Sequence, residues 1–217
     1  LVFVLALVCA VFARAQDSGG YIMIPMDAAQ TDHLRAYGVA YWCLQQGLKV
    51  EWLLNYRGGA FVAPDTKLLQ VQSRLLGVSI EIIGADTREE ILRAMDKGNY
   101  EVVMLEKPPK VAIYTPPDKR PWDDAVTLAM TYAKLPYDTL WDKEVLQGKL
   151  AEYDWVHLHH EDCSGQYGKF YATFHNAAWY QDQVKIYTQN AREAGFAKVQ
   201  QQKCEVAGQI RTYVANG

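Results

Sequence analysis

Short apolar runs and helix-period segments take turns along this chain from Tyr21 to His159, and that order restricts it to an α/β architecture. Tyr21 to Pro25 (YIMIP) reads as a buried strand. Asp27 followed by Gln30 is a capping-box-like helix start, and Leu34, Tyr37, Tyr41 and Leu44 recur at helical spacing up to the stop at Gly47. Leu48 to Leu54 (LKVEWLL) returns as a strand. A β-α-β unit of this kind predicts parallel strands joined by a right-handed crossover.

The alternation continues after the loop Asn55-Tyr56-Arg57-Gly58-Gly59. A helix is expected from about Asp65 to Leu76, a strand at Val78 to Ile83, a helix capped by Asp86 or Thr87 and running to Met95, and a strand at Tyr100 to Leu105. Lys107-Pro108-Pro109-Lys110 interrupts it, because neither proline can continue a ladder or a helix. The chain therefore divides into 16–107 and 108–217. In the second half Val111 to Thr115, Tyr137 to Trp141 and Trp155 to His159 read as strands. Pro121 stands at the first turn of a helix that carries Asp123 and Asp124, where a missing N–H is harmless and the helix dipole favours acids. Helices at about Ala178 to Ala194 and Lys198 to Val214 follow, and Asn216-Gly217 reads as a helix cap leading toward a further strand.

Residues 1–15, LVFVLALVCAVFARA, form an apolar run closing on Ala13-Arg14-Ala15, a small-x-small pattern that predicts an export signal cut before Gln16. The run falls short of the roughly 20 residues a spanning helix needs, so no stable membrane span is expected after cleavage, and the mature chain is expected to be periplasmic or extracellular. Cys9 lacks the small residues of a lipoprotein box. Cys43, Cys163 and Cys204 then remain, an odd set for an exported protein, with Cys43 in a core pattern and no metal-type cysteine spacing. A net charge of -3 without any basic block argues against nucleic acid as a partner.

Ionisable side chains crowd Tyr153 to Phe170, YDWVHLHHEDCSGQYGKF, where a strand should emerge from the sheet. Ligands of open α/β sheets sit outside the carboxyl ends of the strands, so the chemistry is expected here. His159 or His160 beside Glu161 or Asp162 supplies the parts of an oriented imidazole for acid–base work. Partners from other strand ends are Asp123 and Arg57, the latter beside the flexible Gly58 and able to hold a carboxylate or phosphate. A zinc site from His157, His159 and Glu161 has acceptable ligand types, but alternate residues of one strand are a weak pattern, and neither metal nor cofactor is expected. Tyr167, Phe170, Tyr171, Phe174, His175, Trp179 and Tyr180 form an aromatic cluster that suits either packing on the sheet or stacking on a sugar ring.

The segments IPMDAAQTDHLRAYGVAYW, VEWLLNYRGGAF, PWDDAVTLAMTYAKLPYDTLWDKEVL and YDWVHLHHEDCSGQYGKFYATFHNAAWY resemble exported bacterial proteins commonly labelled asparagine synthetase B, over about Tyr21 to Gly217. The resemblance implies a class I glutamine amidotransferase-like fold with a flavodoxin-like parallel sheet. It also implies amide hydrolysis or transfer, and a loop from Glu161 to Gly168 whose N–H groups face a developing oxyanion, Gly165 and Gly168 allowing the close approach. The nucleotide loop SGGxDS and N-terminal cysteine of glutamine-dependent asparagine synthetases do not occur in this sequence. In that fold a helix such as Val206 to Val214 feeds a strand and a cysteine-bearing turn, which are expected beyond Gly217. The partner expected is a small amide, peptide or carbohydrate. A non-catalytic binding module for carbohydrate or peptide and a metal-dependent hydrolase remain the competing readings.

Overall fold

The computed structural model describes residues 19–98, 100–116, 125–158 and 171–217. It is an α/β protein that divides between Lys107 and Pro108 into two compact units.

The first unit contains β1 (Gly20–Ile24), α1 (His33–Gln45), β2 (Val50–Leu54), β3 (Ala60–Pro64), α2 (Lys67–Leu76), β4 (Glu81–Gly84), α3 (Ala85–Asp96) and β5 (Glu101–Leu105). Its sheet has the order β4-β1-β3-β2-β5, and every neighbouring pair is antiparallel. The parallel sheet expected for this half is therefore corrected. β3 is a strand the sequence reading passed over, and it lies between β1 and β2, so the β-α-β unit is split. β1 and β2 still run in one direction, but each bonds to β3 instead of to the other.

Strand alternation sorts the core onto the two sheet faces. Ile22, Ile24, Val50, Phe61 and Ala63 pack under α1 and α2, while Met23, Leu53, Val62 and Ala60 pack under Met95 of α3. Glu51 on the α3 face is buried and bound by both arms of the Arg88 guanidinium, which also lies over the Tyr21 ring at 4.8 Å. The hydrogen bonds to Glu51 hold the Arg88 pKa above its ordinary value.

The start of α1 is a second correction. Its cap is Asp32, whose side chain accepts from Arg35 N at 3.0 Å. Asp27 instead closes a turn on Ala29 N, and buried Gln30 bridges Pro25 O and Ser79 N. The buried stripe of α1 is mostly small, Ala36, Val39, Ala40 and Cys43 with the expected Leu44, whereas Leu34 is exposed and Tyr37 is exposed with its ring edge-on to Phe61 at 5.6 Å. Close seating of the helix on the sheet favours the small side chains. Burial pushes the Cys43 thiol up to about 12. Iodoacetamide at pH 8 is accordingly expected to modify exposed Cys204 in the native protein and to reach Cys43 only after unfolding, a difference that peptide mass mapping reads directly.

The second unit contains β6 (Val111–Tyr114), α4 (Ala125–Ala133), β7 (Asp138–Leu140), α5 (Asp142–Leu146), a 3-10 turn (Lys149–Glu152), β8 (Trp155–Leu158), α6 (Tyr171–Phe174), α7 (Ala178–Glu193) and α8 (Val199–Ala215). Its sheet is parallel, in the order β7-β6-β8. Val111 and Ile113 pack with Met130 of α4, while Ala112 and Tyr114 pack with Val145, Tyr187, Val206 and Ile210 on the other face. Val111 and Trp155 are register partners, whereas Tyr21 belongs to the other sheet. Trp141, expected as the end of a strand, precedes α5 and donates its backbone N–H to the Glu144 carboxylate at 3.0 Å. No helix among the described residues is long and apolar enough to cross a membrane.

Candidate functional site

The carboxyl ends of the parallel strands are Tyr114, Leu140 and Leu158, and the register sets Tyr114 beside both of the others. Thr115 N donates to Leu140 O at 2.9 Å, which continues the β6 ladder one residue past Tyr114. The sequence resumes from this edge into two of the segments that carry the expected chemistry. His159, His160, Glu161, Asp162, Gly165, Tyr167 and Gly168 follow β8 in sequence, Asp123 follows β6, and all of them, with Cys163 and Phe170, lie outside the described residues. Of the three strand histidines His157 is described; it is half-buried, on the α4 side of the sheet, with its ring edge-on to Trp155 at 6.5 Å. No cluster of three or more metal-ligating side chains occurs among the described residues.

Directly beneath this edge the structure contains a charged group that the sequence reading missed. Lys203 of α8 donates to Asp142 Oδ1 at 2.9 Å and to the Tyr114 hydroxyl at 3.1 Å, and the Tyr114 hydroxyl donates to the same carboxylate oxygen at 2.5 Å. The ammonium lies 3.8 Å from the centre of the Trp141 ring, with the rings of Tyr114 and Tyr187 beyond it, a cation–π cage. Lys203 and Asp142 are both buried, and Tyr114 has no exposed surface. The three come from the end of β6, the first turn of α5 and the start of α8, so the group fastens the carboxyl ends of two strands to a helix. Being sealed from solvent, it positions that edge and does not itself receive a ligand. A signal for it existed: Val199, Val206 and Ile210 mark the buried face of α8, and Lys203 occupies the register position between the first two, a place where an unpaired lysine is not tolerated.

Arg57 and Gly58 belong to the first unit, in the tight connection from β2 to β3. Arg57 adopts φ 49°, Gly58 φ 77°, and Arg57 O accepts from Met26 N at 2.9 Å. The guanidinium already holds two carboxylates of its own chain, Asp27 through Nε and Nη2 and Glu81 at 3.0 and 3.2 Å. The hydrogen bond from Arg57 holds the Asp27 carboxyl below the usual carboxylate range.

Of the aromatic cluster, Tyr180 is core, while Phe174 and Trp179 are exposed with ring centres 5.2 Å apart. A cleft of about 440 Å³ opens at the amino ends of β6 and β8, bordered by Leu150, Tyr153, Asp154, Gln209 and Tyr213. Its polar groups are engaged: Asp154 accepts from Lys110 N at 2.8 Å and the Tyr213 hydroxyl donates to Tyr153 O at 3.0 Å. Burial, with the hydrogen bond to Asp138, pushes the Tyr153 phenol up to about 12.

No family model, curated protein or solved structure matches this chain.

Proposed function

We propose that the second unit binds a small primary amide at the carboxyl edge of β6 and β8, as part of an exported, amidotransferase-like protein of flavodoxin-like design that hydrolyses or transfers the amide. The observation that supports this reading is the pairing of Tyr114 with Leu158 at the carboxyl ends of parallel strands, with β7 added on one side of β6 and β8 on the other. Winding that reverses about one strand leaves a crevice between the neighbouring strand ends, where α/β sheets take their ligands. In this reading His159 or His160 exchanges the proton, Glu161 or Asp162 orients the imidazole, and the loop through Gly165, Tyr167 and Gly168 supplies N–H donors to the amide oxygen.

Isothermal titration of the chain with L-glutamine and L-asparagine tests it. Saturable binding of at least one amide is expected, weakened roughly tenfold by His159→Ala or His160→Ala and by Glu161→Gln or Asp162→Asn, since each effective substitution removes a polar contact worth about 1.4 kcal/mol. Binding of an oligosaccharide but of neither amide would decide for the carbohydrate module instead. Amide binding unchanged by substitution of both histidines and of both acids would remove the site from this edge.

A further inference from the structure

The first unit has two unlike faces. α1 and α2, which cover one side of the sheet, contain no aspartate or glutamate, although the whole chain has 25 acids against 22 basic residues. α3 on the other side exposes Asp86, Glu89, Glu90 and Asp96. The side covered by α1 and α2 is also apolar on its outside. Leu68, Val71 and Leu75 recur along the outer face of α2 at helical spacing, with Leu68 67% and Leu75 74% exposed. Leu34 and part of Tyr37 of α1 are exposed as well, and Ile82 of the edge strand β4 is exposed on the sheet face that also carries Ile22. Isolated exposed leucines are ordinary, but a periodic row on a helix whose opposite face is already buried is a second amphipathic surface. Lys67 and Arg74 flank that row, and neither has an ion-pair partner among the described residues.

We propose that the outer face of α1 and α2 is a docking surface for an anionic lipid bilayer, with Leu68, Val71 and Leu75 entering the headgroup boundary and Lys67 and Arg74 pairing with lipid phosphates. The charge pattern selects this occupant. An apolar row flanked by cations that have no ion-pair partner among the described residues, on helices whose only neighbouring acids, Asp32 and Asp65, are tied to Arg35 and Gln70, complements a negatively charged apolar interface. A second copy meeting this one α2 against α2 would set the cations of both against each other. Attachment of this size is peripheral and reversible.

Co-sedimentation of the chain from Gln16 onward, free of the apolar leader, provides the test. Vesicles of phosphatidylcholine alone are compared with a roughly 7:3 mixture of phosphatidylcholine and phosphatidylglycerol, at low salt and at about 0.5 M salt. Association with the anionic vesicles is expected, reduced roughly tenfold by salt, by the K67E/R74E pair and by the L68Q/V71Q/L75Q triple substitution, and absent from the neutral vesicles. Circular dichroism and the urea midpoint of each variant confirm that the fold is retained, as befits exposed positions. Equal association with both vesicles, or binding that neither set of substitutions lowers, overturns the proposal. So does a lipid-free rise in mass by light scattering that the triple substitution abolishes, which would assign the face to a protein partner.

Discussion

Replacing Asp142 with alanine is expected to destabilise the second unit by about 3–5 kcal/mol, the range for breaking a buried ion pair from one side. The reason is what remains behind. Lys203 would keep its ammonium under the Trp141 ring with the Tyr114 hydroxyl as a remaining polar contact, and the helix that carries it could not withdraw without exposing Val206 and Ile210. Lys203→Met alone is expected to be milder, because Asp142 retains the Tyr114 hydroxyl. The double substitution Asp142→Leu with Lys203→Met removes both charges together and is expected to recover most of the loss, since a buried pair exchanged for apolar groups is often neutral. Urea unfolding of the unsubstituted protein, Asp142→Leu, Lys203→Met and the double variant, analysed as a double-mutant cycle, measures the coupling. A double variant as unstable as the sum of the single ones would show that the two side chains act independently.

Gly58→Ala is expected to cost about 3 kcal/mol or more, through two effects that add. The residue sits at φ 77°, where a Cβ costs about 1–3 kcal/mol where the surroundings hold the backbone in place. That Cβ would also fall 2.6 Å from Met26 C and 2.9 Å from Asp27 N, backbone atoms that cannot step aside. Gly77 is the control, with a similar φ of 69° and open space around it, so Gly77→Ala is expected to cost only about 1 kcal/mol. Displacing Gly58 would also draw the Arg57 guanidinium from Asp27. The Asp27 carboxyl is depressed in the folded protein, so its tie to Arg57 contributes above the ordinary carboxyl pKa and is lost as pH falls through the lowered value. In Gly58→Ala the Asp27 carboxyl is expected to titrate closer to its ordinary value, which carboxyl NMR resolves.

Much of this architecture is legible in the sequence because it rests on local pattern. β2 and β5 to β8 all lie within the segments expected as strands, β1 is shifted by one residue from its own, and Pro108-Pro109 coincides with the division between the units. β3 was missed for a physical reason. AFVAP is a short apolar run that starts against two glycines and ends on a proline, so its flanks read as a loop, and without it a parallel sheet was the only arrangement the β-α-β pattern offered. The exposure of Leu34 and Tyr37 escaped because periodicity marks a stripe without saying which of two apolar stripes a sheet will accept. Lys203 was hidden for the converse reason, since a charged residue in an apolar register is identified as paired only when its partners, 61 and 89 residues away, are seen beside it.

The split unit also governs the sequence of events as the chain leaves the ribosome. When Leu54 has emerged, β1 and β2 are both available, yet they have nothing to bond to, because the strand that joins them is still to come. Ala60 to Pro64 must enter between two segments already present, and β4 and β5 close the borders later still. The first unit is therefore assembled by insertion and not by stepwise addition, and its apolar strands stay open to other binding partners, a chaperone among them, until the middle one arrives.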